Sequence, residues 1–68
     1  MKYVVVIERA RGNYSAYLPD VPGCVATGKT RAQVLRRIRT ALAMHLDGLR
    51  EDGLRLPRPD TRAELIET

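Results

Sequence analysis

At 68 residues and 7.7 kDa the chain accommodates one domain, residues 1–68, and leaves no room for a second. Its only cysteine, Cys24, rules out cystine staples, and no zinc-ligand spacing is present. The net charge of +4 suits nucleic acid or an acidic protein without choosing between them. With no apolar run of about 18 residues and no leader-like start, a membrane span and a signal peptide are not expected, and a reducing, cytoplasmic setting is.

The chain opens on a strand over residues 2–9. Tyr3, Val5 and Ile7 fall on one face and Val4 and Val6 on the other, a β-branched pattern that suits an interior strand covered on both sides. Residues 10–13, with Gly12 and Asn13 tolerant of left-handed backbone, form a turn that returns the chain as a hairpin. Tyr14, Ala16 and Leu18 then alternate with Ser15 and Tyr17 in a second strand.

Two prolines interrupt it. Pro19 and Pro22 lack the N–H of a ladder and hold Leu18 and Val21 extended, and Gly23 accepts a positive φ, so residues 19–23 read as a rigid corner. A third strand over 24–27 extends the hairpin into a meander. Thr30 and Gln33 form a capping box that opens one long helix to about residue 52. Val34, Leu35, Ile38, Ala41, Leu42, Leu46 and Leu49 occupy an arc of ~140° on it, with Gly53 placed to end it. Pro57 and Pro59 make a stiff spacer. In the tail, Arg62, Glu64 and Ile66 share one strand face and Ala63, Leu65 and Glu67 the other. Eight residues are short for an isolated helix, so a C-terminal edge strand is expected there.

The expected fold class is therefore α+β: a three-stranded antiparallel meander, one long helix on one face and a short edge strand. Its other face, with Val4 and Val6, is too apolar to stay in water. Apolar burial contributes on the order of 100 kcal/mol, and ordering the chain at ~1.5 kcal/mol per residue costs about as much. A monomer is borderline, and a homodimer or homotetramer is expected.

Few residues suggest chemistry. His45 lies within the apolar arc without a second histidine, which fits a core or interface imidazole. Cys24 after the corner reads as a small buried hydrophobe rather than a nucleophile. Asp20 reads as a turn residue bonding a nearby backbone N–H. The other carboxylates, Glu8, Asp47, Glu51, Asp52, Asp60, Glu64 and Glu67, are scattered, where two-metal chemistry needs them converged. No catalytic residue, metal or cofactor is expected. Arg36, Arg37, Arg39 and Arg50 form a stripe of the kind usually solvated, and without a DNA-reading motif direct nucleic-acid binding is not favoured.

Tyr14, Ala16, Pro19, Asp20, Val21, Pro22, Gly23 and Cys24, followed by Gly28 and Thr30, resemble the Tyr-x-Ala-x-x-Pro-Asp-Leu-Pro-Gly-Cys and Gly-x-Thr pattern of the HicB-like antitoxin family. The opening residues 2–8, His45-Leu46, Leu49, residues 51–53, Pro57 and Pro59 are similar as well. The resemblance is to a short, single-domain member without a C-terminal DNA-binding domain. It implies a β-β-β-α-β fold related to a partial ribonuclease H fold that has lost its catalytic acids. It also implies homo-oligomers and a non-enzymatic role, binding and masking a small HicA-type messenger-RNA-cleaving toxin. A basic nucleic-acid-binding module is the alternative, and a remnant ribonuclease H-like nuclease the second. The expected interface takes Val4, Val6 and Tyr17 from the sheet and Pro19, Asp20, Pro22 and Gly23 from the corner. His45 joins it from the helix, and Arg62, Glu64 and Ile66 from the tail.

Overall fold

The computed structural model describes all residues, 1–68. Three strands, β1 (Val6–Ala10), β2 (Asn13–Tyr17) and β3 (Val25–Gly28), precede one helix, α1 (Arg31–Glu51). The sheet order is β1-β2-β3 and both pairings are antiparallel, so the fold is the expected α+β meander with a long helix. Arg11 and Gly12 alone join β1 to β2, and Gly12 supplies the positive φ of 81° that the tight turn uses.

The register sorts the side chains. Ile7, Ala16 and Ala26 align on the face that carries the helix, while Val6, Tyr17 and Val25 align on the opposite face. Val34 and Ile38 of α1 meet Ala16, Leu18, Val21 and Cys24 in the core, flanked by Tyr3, Val5, Ile7, Tyr14, Ala41 and Leu42. The helix lies over β2 and β3. Gly28 permits its approach: a Cβ there would sit 2.8 Å from the Val34 backbone nitrogen.

The helix ends follow the sequence closely. The Gln33 N–H donates to Thr30 Oγ1 at 3.0 Å, and Gln33 Oε1 accepts from the Lys29 N–H at 2.7 Å. At the other end Gly53 has φ 69°, the Gly53 N–H donates to the Arg50 carbonyl and the Leu54 N–H to the Leu49 carbonyl. That double closure is a Schellman motif.

Two expectations change. First, β1 is an edge strand rather than an interior one, with regular pairing only from Val6. Its β-branched run packs on one side through Tyr3, Val5 and Ile7, and the helix lies over the other two strands. Second, the C-terminal edge strand does not form within the chain. Residues 54–68 carry no regular structure. Pro57 and Pro59 cannot donate to a ladder, and the residues beyond them find no strand partner.

Candidate interaction surface

The corner is built from two overlapping turns. The Val21 N–H donates to the Leu18 carbonyl and the Cys24 N–H to the Val21 carbonyl, each at 3.1 Å. Each turn has proline in its second position, and Gly23, at φ 83°, occupies the third position of the second. The Leu18 N–H closes the loop onto the Cys24 carbonyl at 3.3 Å. Leu18, Val21 and Cys24, three residues apart, point into the core and are buried. Pro19, Pro22 and Gly23 between them face solvent. Burial pushes the Cys24 thiol pKa up, which disfavours the reactive thiolate.

Asp20 does more than turn the chain. Its carboxylate accepts the Thr61 hydroxyl at 2.7 Å and the Thr61 N–H at 2.9 Å. These bonds, the hydroxyl's first, hold its pKa below the ordinary carboxylate value. The expected local N–H is thus replaced by one 41 residues away. A second tie, from the Tyr3 hydroxyl to the Pro57 carbonyl at 2.6 Å, holds the start of the same segment.

Beyond Thr61 every residue is exposed, including Arg62, Glu64 and Ile66. Arg62 and Glu64 flank a cleft whose other side is Lys2, Tyr3 and Val4, so the tail runs beside the start of β1. The structure therefore gathers Val4, the tail and, through the Asp20–Thr61 clamp, the corner. Val6 and Tyr17 pair directly across the open face. Val25 extends that row and is 65% exposed, a member the sequence reading lacks. Only the register, with Val25 opposite Tyr17, reveals it.

His45 stands apart. It continues the stripe of Val34, Ile38 and Leu42 but is exposed, not in the core. The helix, at about 1.5 Å per residue, is far longer than strands of four or five residues, so its second half overruns the sheet. Met44 beside it is likewise 70% exposed.

No three His, Cys, Asp or Glu side chains come together in a group that could hold a metal ion. No helix is long and apolar enough to cross a membrane. The features that stand out are surfaces: an open apolar row, a rigid corner and a tethered tail.

Residues 3–68 match the family described as HicB_like antitoxin of bacterial toxin-antitoxin system. The chain is 34% identical over 66 residues to an uncharacterized 14.9 kDa protein of Haemophilus phage HP1, covering 97% of this chain and 50% of that one. It is 34% identical over 59 residues to a UPF0150 protein of Thermoplasma acidophilum, covering 85% and 86% of the two. To antitoxin HicB 2 of Photorhabdus laumondii it is 31% identical over 64 residues, 94% of this chain but 46% of that protein. It thus spans about half the length of the phage relative and of that antitoxin. Among solved structures, a chain of the HicA3 and HicB3 toxin-antitoxin complex superposes with a TM-score of 0.72 at 30% identity, covering 88% of this chain and 70% of that one.

Proposed function

The chain belongs to the HicB-like antitoxin family, and from that premise we propose that it self-associates and masks a small HicA-type messenger-RNA-cleaving toxin without catalysing a reaction itself. The observation that carries this reading is the likeness to a chain of a HicA–HicB complex over most of the present chain.

The surface of the molecule supports an associating role. The folded chain exposes 5779 Å², about a third more than the ~4,300 Å² expected of a solitary protein of its mass. Its radius of gyration, 13.2 Å, likewise exceeds the roughly 11 Å of a compact chain of this length. The excess on this one chain is larger than the roughly 800 Å² that each partner contributes to a standard interface. The open row of Val6, Tyr17 and Val25, with Val4 beside the tail, is the apolar patch a second copy would cover. The toxin would be met by the corner at Pro19, Asp20, Pro22 and Gly23, by His45 on the helix overhang, and by the tail at Arg62, Glu64 and Ile66.

Co-expression with the neighbouring open reading frame tests the toxin-masking role. A stable co-purifying complex and relief of that product's growth arrest are the expected results. Failure to form any complex would remove the role. Sedimentation of the chain alone tests self-association separately, with a dimer or tetramer expected at micromolar concentration.

A further inference from the structure

The molecule is electrically lopsided in a way that the linear sequence conceals. The β1–β2 turn, the end of β3 and the start of α1 meet at one end of the sheet, because Arg9, Tyr14 and Gly28 align in register. Arg9, Arg11, Lys29, Arg31 and Arg37 belong to that end, and Glu8 is its one acid. Those five bases and Glu8 account for the whole net charge of +4; the remaining seven bases and seven acids cancel. None of the five bases forms an ion pair. The only ion pair in the chain, Arg50 with Asp47, lies on the far part of the helix.

Two adjoining clefts share Gly12, Asn13 and Lys29 and carry Arg9 on one side and Arg37 on the other. The Arg37 guanidinium is fixed there by donating to the Thr27 carbonyl at 3.0 Å. The first turn of α1 contains no acid to oppose its positive end. The cleft beside Arg37 has no hydrophobic lining residue, so it lacks the apolar anchor that a protein partner would need. Nor is there an aromatic platform for unstacked bases: Tyr14, the one ring nearby, is half-buried on the helix side. Clustered, unpaired guanidinium and ammonium groups around a polar cleft match a rigid array of phosphates.

We propose that this end of the molecule binds the phosphate backbone of duplex nucleic acid, without reading sequence. The site lies at the opposite end of the sheet from the open apolar row and goes beyond the toxin-masking reading, so either can fail alone. Fluorescence anisotropy of the isolated chain with labelled 20-base-pair DNA and RNA duplexes, and with the single strand, tests it. Saturable duplex binding at 50 mM salt is expected, with a log–log salt slope of about −3, as for roughly three neutralised phosphates. The variant Arg9→Gln/Arg11→Gln/Lys29→Gln should lose at least tenfold in affinity. All three side chains are exposed and make no hydrogen bond or ion pair within the chain, so the fold should persist by circular dichroism. The control Arg55→Gln/Arg58→Gln/Arg62→Gln removes the same charge elsewhere and should lose less than threefold. Equal losses in the two variants, tighter binding of the single strand, or no binding by the unmodified chain would each overturn the proposal. Preference for one duplex names the source of the phosphates and, like equal affinity for both, agrees with it.

Discussion

The corner and the tail both lie outside helix and strand, yet they are held in different ways. The corner is fixed from within, by two turns, two prolines, a positive-φ glycine and three side chains sunk into the core. The tail is fixed from outside, by one hydrogen bond from Tyr3 and two at Asp20, with no buried side chain of its own. Irregular backbone can therefore be part of the core or merely tied to it. Asp20 belongs to both: its backbone sits in the first turn and its carboxylate holds the tail.

The sharpest test of this contrast is Val21→Ala. Val21 is fully buried, and losing two methyl groups there should cost about 2–3 kcal/mol through lost transfer energy and a residual cavity. In a small chain that loss should appear as a marked fall in the urea midpoint. Ile66→Ala in the tail should leave the midpoint unchanged, since that side chain is 86% exposed. Equal effects would erase the distinction.

Gly23→Ala comes next. Nothing lies within 4 Å of the Cβ it would add, so the cost is that of holding an L-residue at φ 83°. Roughly 1 kcal/mol is expected from urea titration. A much larger loss would mean that the corner transmits strain to Leu18 and Cys24.

The same contrast explains what was legible in the sequence. The corner, the Thr30–Gln33 cap and the Gly53 stop are local devices, each written within a few residues, and the structure keeps all three. Cys24 was readable as a buried hydrophobe for the same reason. Facts that depend on how elements meet were not readable. The Val4-Val5-Val6-Ile7 run looks interior because it is apolar on both faces, but its place at the sheet edge is a matter of topology. His45 keeps the helical period of the core and is exposed only because the strands are short. Alternation was enough to place Val6 and Tyr17 on the face away from the helix, whereas Val25 needed the register and Thr61 had no signal, since its partner is 41 residues away. The cationic end hid likewise, because its residues are split between β1, the β1–β2 turn, the β3–α1 connection and α1.

The smallest expected effect belongs to the Asp20 clamp, and it should show more in the tail's position than in global stability. Asp20 has a folded-state pKa below its ordinary value of 3.8, chiefly through the Thr61 hydroxyl and then the Thr61 N–H. A lowered carboxylate pKa means that the favourable contribution is fully present above the unfolded value, and is lost as pH falls through the folded one. The tail should thus stay clamped at neutral pH and release only in acid, below about pH 4. The Thr61 amide resonance, followed by NMR as a function of pH, should report that transition. In Asp20→Asn the carboxylate's own titration disappears and the side chain keeps one acceptor oxygen for two donors, so the Thr61 amide should shift toward its unbonded position at every pH. A Thr61 amide unchanged in that variant would show that the Tyr3–Pro57 tie alone positions the tail, and Asp20 would then belong to the corner only.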